Sequence, residues 1–284
     1  MDQPETTQFH APDIRLVALD LDGTLLTGDK QLPAATQRVI ARCVECGVKV
    51  VLASARPPRS VRPVYNLLNL DTLSVHYNGA LISDLRTNRY WCHMPLPADL
   101  VRDVIATARR IDPHCLISVE ILDKWYTDRF DEEKAGENGR LNPPAMVGPF
   151  DAFVTAPVTK LMLLDEPKRL RPVREAINAL YAGQMAMAVS DDYLIQLMHP
   201  QADKSTALMK VAEQYGVSSE QVMAVGDAPN DCGMLRWAGL GVAVANAWVE
   251  VLDSADVVVP PNDVGGVAYA IQRYVLDVKD QTPA

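Results

Sequence analysis

The stretch Leu19-Asp20-Leu21-Asp22-Gly23-Thr24-Leu25-Leu26 decides the fold. It follows an apolar run that begins at Ile14, is interrupted only by Arg15, and predicts a short strand buried on both faces. Two carboxylates at the end of such a strand are costly to bury unless a cation, a metal ion or hydrogen-bond donors balance their charge. The simplest partner for both is a hard divalent cation such as Mg²⁺, which prefers oxygen ligands, and Gly23 permits a tight turn beside it.

The composition excludes several classes of protein. With 284 residues, 48% of them hydrophobic, the chain is long enough for one large domain or two of ordinary size. Its net charge of −9 argues against nucleic-acid binding as the main task. We also expect no membrane span, because no apolar run approaches the ~18 residues that one requires. The polar start of the chain does not resemble a signal peptide and the cysteines are scattered, so we expect a cytoplasmic protein.

Strands and helices alternate at both ends of the chain. Apolar runs predict strands at residues 14–19, 48–53, 74–77, 222–225, 240–244 and 256–259. Amphipathic segments between them predict helices, and this alternation is typical of an α/β fold with a doubly wound parallel sheet. Ligands of such sheets bind at the carboxyl ends of the strands, so we expect Asp20, Ser54, Asn78 and Asp227 to share one site.

The middle of the chain has a different pattern. Residues 82–198 combine two predicted helices with pairs of strands that read as antiparallel, which is typical of an independent α+β domain inserted into the sheet domain. The polar segment 131–150 is rich in Gly and Pro and predicts a long loop. The predicted organisation is a flexible tail over 1–12, a core domain over 13–81 and 199–284, and the inserted domain over 82–198.

Four motifs together resemble the haloacid dehalogenase (HAD) superfamily, most of whose members are phosphatases. They are Asp20-Leu21-Asp22-Gly23-Thr24, Ser54-Ala55-Arg56, Lys204 at the start of a predicted helix, and Gly226-Asp227-Ala228-Pro229-Asn230-Asp231. The second motif commonly has glycine where this chain has Ala55. The interval between Ser54 and Lys204 is too long for one crossover, and the α+β pattern of the insertion resembles the type IIB, or Cof-like, cap of this family.

The resemblance implies a Mg²⁺-dependent phosphatase that acts through an aspartyl-phosphate. It implies that Asp20 is the nucleophile and that Asp22 is the general acid and base. The implied metal ligands are Asp20, Asp227 and the backbone carbonyl of Asp22, while Asp231 orients Lys204 or a metal-bound water. The implied phosphate-binding groups are the side chains of Ser54, Lys204 and Asn230 and the backbone N–H groups of Leu21 and Ala55.

The implied substrate is a small phosphorylated metabolite, such as a sugar phosphate or a phosphorylated cofactor. In the cap, Trp125, Arg129 and Arg140 are candidate substrate contacts, because flat or cationic side chains suit such molecules. Two other functions stay open. A phosphomutase would return the phosphoryl group to its substrate, although the α+β cap disfavours it. A non-catalytic sensor of a phosphorylated ligand would have no need of Asp22. No feature of the sequence indicates the oligomeric state.

Overall fold

The computed structural model of the protein describes residues 13–130 and 142–281. The predicted tail at 1–12 and Arg140 lie outside the described residues, as does much of the predicted loop at 131–150. The described residues form fourteen strands, numbered here in chain order: β1 Leu16–Leu19, β2 Lys49–Leu52, β3 Leu73–His76, β4 Leu81–Asp84, β5 Arg89–His93, β6 Leu116–Ile121, β7 Lys124–Thr127, β8 Met146–Val147, β9 Lys160–Leu164, β10 Ala186–Asp191, β11 Leu194–Met198, β12 Val222–Gly226, β13 Leu240–Val244 and β14 Val257–Val259.

Helices alternate with these strands. The α-helices of the described residues are Ala34–Glu45, Pro58–Leu67, Ala98–Ile111, Pro167–Leu180, Lys204–Gln214, Cys232–Trp237, Val249–Leu252, Gly266–Ile271 and Asp277–Gln281. One π-helical turn, Gln272–Leu276, joins the last two. None of the helices in these residues is both long and apolar enough to cross a bilayer.

The chain divides into two compact units. Unit 1 takes in the described residues of Met1–Ser54, Pro63–Ser74 and Leu208–Ala284. It contains a five-stranded sheet in the order β14-β13-β12-β1-β2, in which every neighbouring pair is parallel. Strands β1, β12 and β13 are buried along their whole length, as expected for apolar runs covered on both faces. The predicted α/β fold with a parallel-sheet core is confirmed.

Unit 2 takes in Ala55–Arg62 and Val75–Ala207. Its six-stranded sheet has the order β10-β11-β9-β6-β7-β8 and is antiparallel except for the short pair β7–β8. Apolar side chains of this sheet pack with those of Ala98–Ile111 and Pro167–Leu180 in one hydrophobic core. Unit 2 is larger than the predicted insertion, since it also holds residues 55–62, 75–81 and 199–207. The assignment of residues 82–198 as a cap domain stays a prediction.

The predicted third strand of the core forms as β3, but it lies outside the five-stranded sheet. Its neighbour is β4, in a separate three-stranded sheet of the order β3-β4-β5. The reason is local, because the 3₁₀ turn Tyr77–Gly79, with positive φ at all three residues, returns the chain at once as β4. The sequence pattern predicted that Asn78 follows a strand of the core sheet. This prediction is wrong, because β3 does not belong to the five-stranded sheet.

His76, at the end of β3, is a completely buried histidine. Its Nε2 lies 3.0 Å from the Ser83 hydroxyl oxygen, and its Nδ1 has no hydrogen-bond partner within the described chain. Burial, together with the nearby charge of Arg62, lowers the pKa of His76 from 6.5 to about 3. The ring therefore stays neutral in the folded protein under conditions that protonate it in the unfolded chain.

This burial predicts a pH-dependent loss of stability. Neutral His76 contributes fully to the free energy of unfolding above pH 6.5. This contribution is lost as the pH falls towards about 3, because only the unfolded chain binds a proton at His76 in that interval. The slope for one such proton is about 1.4 kcal/mol per pH unit. Urea unfolding between pH 7 and pH 4.5 should therefore show a shallower decline in the unfolding free energy for His76→Gln than for the native protein. The matched variant His114→Gln, at an exposed position, should keep the native slope, and equal slopes for native protein and His76→Gln would contradict the assignment.

Candidate active site

Three neighbouring parallel strands of unit 1 carry polar residues at their carboxyl ends. Leu19 of β1 lies opposite Val225 of β12 and Leu52 of β2. The backbone pairing continues past these residues, since the Asp20 N–H donates to the Val225 carbonyl (3.1 Å) and the Ala53 N–H donates to the Leu19 carbonyl (2.9 Å). Asp20, Ser54 and Asp227 consequently follow adjacent strands at one edge of the sheet.

Asp20, Asp227 and Asp231 form a buried acidic cluster at this edge. Each offers one carboxylate oxygen, and the three oxygens lie within 4.8 Å of one another. The residues are only 5%, 9% and 0% exposed. Three carboxylates this close, and this far from water, repel one another unless a cation lies among them. A set of oxygen donors alone suits Mg²⁺, so the residues present fit the ion that the sequence predicts.

The loop after β1 packs directly on Asp227. It closes through backbone hydrogen bonds from Leu25 to the Asp20 carbonyl (3.3 Å) and from Leu26 to the Leu21 carbonyl (2.9 Å). Gly23 turns the chain with φ of +82°, and a Cβ atom there would lie 2.4 Å from Asp227 Oδ2. The Thr24 hydroxyl donates to Asp227 Oδ1 at 2.6 Å. Both carboxylate oxygens of Asp227 are thus positioned by this loop.

Asp231 holds the second acidic loop in place. Its Oδ2 accepts hydrogen bonds from the backbone N–H groups of Asp227 (3.1 Å) and Ala228 (3.0 Å). The side chain therefore fixes the loop on which Asp227 sits, in addition to lying beside the other two carboxylates. The predicted partner of Asp231, Lys204, belongs to unit 2, and their interaction stays a prediction.

Asp22 has surroundings unlike those of Asp20. Its side chain is 40% exposed, and its Oδ1 accepts a hydrogen bond of 2.7 Å from Lys30, which is itself 57% exposed. Exposed ion pairs contribute about 0–1 kcal/mol and hold a side chain only weakly. The Asp22 carboxylate is not one of the three that cluster, and the contact of its backbone carbonyl with a metal stays a prediction. Lys30 carries no signal in the sequence that marks it as a partner of Asp22.

The other predicted phosphate-binding residues are divided between the units. Leu21, Ser54 and Asn230 belong to unit 1, where Leu21 and Ser54 are buried and Asn230 is exposed in the 3₁₀ turn Pro229–Asp231. Ala55 and Lys204 belong to unit 2, and Lys204 is a buried lysine at the first position of its helix. Phosphate binding by these five residues stays a prediction.

The chain resembles known proteins over nearly its whole length. The family model of haloacid dehalogenase-like hydrolases matches residues 17–271. The chain belongs to this family. It is 29% identical over 264 residues to a 5-amino-6-(5-phospho-D-ribitylamino)uracil phosphatase of Bacillus subtilis, covering 91% of this chain and 97% of that protein. It is 27% identical to a pyridoxal phosphate phosphatase of Escherichia coli, covering 92% and 99%. The solved structure of a haloacid dehalogenase-like hydrolase from Bacteroides thetaiotaomicron has a TM-score of 0.84 at 30% identity, covering 92% of this chain and 99% of that one.

Two asparagines of this HAD-like hydrolase complete the site and were missed from the sequence. Asn246 donates from Nδ2 to the Gly23 carbonyl (2.8 Å) and accepts at Oδ1 from the Asn262 backbone N–H (2.9 Å). Asn262 in turn donates from Nδ2 to the Leu26 carbonyl (2.8 Å). These bonds tie the loop after β1 to the segments that follow β13 and β14. The position of Asn246 was the one sign in the sequence that it belongs to the site. Asn246 follows the end of β13, just as Ser54 follows the end of β2.

The contact between Gly23 and Asp227 predicts a loss of metal affinity in Gly23→Ala. Gly47 is the matched control, because it has φ of +79° but has no atom within 4 Å of the added Cβ. Both variants should lose about 1–2 kcal/mol of unfolding free energy from the left-handed backbone conformation. Only Gly23→Ala should displace Asp227 and weaken Mg²⁺ binding, by about 10- to 100-fold in isothermal titration calorimetry. Equal Mg²⁺ affinities in the two variants would show that this contact does not shape the site.

Proposed function

We propose that this HAD-like hydrolase is a magnesium-dependent phosphatase of small phosphomonoesters that reacts through an aspartyl-phosphate on Asp20. The observation that carries the proposal is the buried cluster of Asp20, Asp227 and Asp231 at the carboxyl edge of the parallel sheet. Family membership supports a hydrolase. Two relatives named as phosphatases of a phosphoribitylamino-uracil and of pyridoxal phosphate support a small phosphorylated metabolite as substrate.

The side chains of Asp20 and Asp227 and the backbone carbonyl of Asp22 would hold the Mg²⁺ ion. When bound, the ion neutralises part of the negative charge that otherwise keeps a carboxylate and a phosphoryl group apart. The Thr24 hydroxyl keeps Asp227 in place by donating a hydrogen bond to its carboxylate. Asp231 does so by accepting a hydrogen bond from the Asp227 backbone N–H. Fixed ligands of this kind raise metal affinity because little reorganisation is needed on binding.

Asp20 is the nucleophile in this proposal. One of its carboxylate oxygens forms a bond to phosphorus while the bond from phosphorus to the ester oxygen breaks. Asp22 gives its proton to the departing oxygen, and the alcohol leaves. The Asp22 carboxylate then takes a proton from water, whose oxygen attacks phosphorus, releases inorganic phosphate and restores Asp20. The 40% exposed side chain of Asp22, whose carboxylate accepts a hydrogen bond from Lys30, suits a group that must exchange protons with water.

The equatorial oxygens of the phosphoryl group need hydrogen-bond donors, because negative charge spreads over them in the transition state. Ser54 and the Leu21 N–H supply donors from unit 1, at or beside the ends of β2 and β1, and Asn230 supplies a third from the loop after β12. We assign Lys204 and the Ala55 N–H to the same oxygens by their places in the motifs. Lys204 would add a positive charge to the hydrogen bonds that these oxygens accept.

The nucleophile is tested with Asp20→Asn. An amide oxygen is a poor nucleophile, so the variant should lose Mg²⁺-dependent release of phosphate from p-nitrophenyl phosphate by about 10³-fold or more. The matched control Asp253→Asn changes an exposed acid of unit 1 and should keep native turnover. Circular dichroism should show that both variants are folded. Native turnover by Asp20→Asn would reject the assignment of Asp20 as the nucleophile.

The metal is tested separately on the native protein. EDTA should abolish turnover, and added Mg²⁺ should restore it, because the three buried carboxylates repel the substrate when no cation is bound. In Asp227→Asn, half-maximal activity should require about 10- to 100-fold more Mg²⁺. Turnover that persists in EDTA would exclude a dependence on Mg²⁺.

A further inference from the structure

A groove lies on unit 2 between the helix Pro167–Leu180 and the turn that joins β10 to β11. Its volume is about 460 Å³, which falls within the range of pockets that bind small molecules. The described residues that line it all belong to unit 2, and they include Lys168, Leu170, Arg171, Arg174, Asp192 and Ile195. None of these six is among the residues assigned above to a metal ion or to the phosphoryl group.

The floor of the groove, Leu170 and Ile195, is apolar. Both residues are only 2% exposed, and both belong to the hydrophobic core that the six-stranded sheet forms with its two helices. Ile195 lies opposite Leu163 of β9, another member of this core, so it faces the side of the sheet that the helices cover. Because the core fixes both side chains, the floor offers a preformed apolar surface to a ligand.

The helix contributes three cations to the wall of the groove. Lys168, Arg171 and Arg174 follow one another at intervals of three residues, so consecutive members are neighbours on the helix surface and repel each other. Arg171 is paired with Glu175 at 4.0 Å, but both side chains are about 70% exposed and the pair is weak. The side chains of Lys168 and Arg174 form no hydrogen bond or ion pair within residues 13–130 and 142–281.

The opposite wall adds one negative charge. Asp192, in the turn between β10 and β11, is the single acid among the described residues that line the groove. Three cations against one acid leave two positive charges uncompensated here, although the protein as a whole carries a net charge of −9. A phosphate monoester carries about −1.5 to −2 charges at neutral pH, and guanidinium groups bind phosphate oxygens through paired hydrogen bonds. The charge of the groove therefore matches that of one phosphate group.

We propose that this groove is a second binding site, for a small organic phosphate or phosphonate that carries an apolar group. The apolar group packs on Leu170 and Ile195, and the phosphate oxygens accept hydrogen bonds from Arg171 and Arg174. Lys168 adds the third positive charge. The inference goes beyond the proposed function, because binding in the groove requires neither Asp20 nor a metal ion.

The test uses benzylphosphonate, whose carbon–phosphorus bond an ester hydrolase does not cleave. The native protein is titrated in EDTA, so that the acidic cluster has no metal ion to attract the probe, and methyl NMR spectra are recorded. The methyl resonances of Leu170 and Ile195 should shift and saturate, with a Kd of about 1 mM or lower. Methylphosphonate has the same charge without the ring, and it should bind about tenfold more weakly because it buries less apolar surface.

A charge-matched pair of variants separates the groove from the general charge of the protein. Arg171→Gln/Arg174→Gln should raise the Kd of benzylphosphonate by about tenfold or more, because the guanidinium donors are lost. The control Arg86→Gln/Arg110→Gln removes two exposed cations of unit 2 that are not among the described lining residues. It lowers the net charge equally and should keep the native Kd within about twofold. Circular dichroism should show that both variants are folded.

Three outcomes would overturn the proposal. The first is a titration in which the Leu170 and Ile195 methyl resonances do not shift, which needs only the native protein and does not depend on the folding of a variant. The second is an equal loss of affinity in the two double variants, which would indicate a general attraction of anions. The third is equal affinity for methylphosphonate and benzylphosphonate, which would exclude the apolar floor. None of these measurements involves turnover, so each holds whether or not Asp20→Asn abolishes phosphatase activity.

Discussion

The crowding of three carboxylates at the end of a buried parallel sheet is the constraint on which the rest of the site depends. Asp20, Asp227 and Asp231 bring oxygens within 4.8 Å of one another while almost excluded from water. Such an arrangement is unfavourable for folding alone, because like charges in a poorly solvated place repel strongly. The cluster fits a divalent cation, and in the function proposed above such a cation would lie beside Asp20 as the nucleophile of phosphoryl transfer.

The surrounding residues keep these carboxylates from moving apart. Gly23 and Thr24 position the carboxylate of Asp227 from one side, and Asp231 holds the backbone of its loop from the other. Asn246 and Asn262 anchor the loop after β1 through its carbonyl groups. The contacts that position Asp227 in this way come from a hydroxyl group, from backbone N–H groups and from close packing, none of which carries a positive charge.

The sequence was most informative where chemistry and periodicity agreed. The apolar run before Asp20 and the similar run before Asp227 placed both acids at strand ends, and their proximity followed from the geometry of a parallel sheet. It was least informative where a contact depends on distant segments, as for Asn246 on Gly23, since an asparagine after a strand has no distinctive pattern. The separation of β3 from the core sheet was likewise hidden. A short apolar strand looks alike in either sheet, and only the turn at Asn78 decides where it pairs.

Lys160 illustrates a different kind of information, which no motif carries. In the sequence it is one lysine at the start of an apolar strand and resembles a solvated end residue. In the structure the register places it opposite Glu120, whose carboxylate oxygens already bind Arg59 and Tyr77. The fold thus buries an ammonium group opposite a carboxylate that other donors already share. The sequence could not show this burial, because the register that places Lys160 opposite Glu120 joins two strands that lie far apart in the chain.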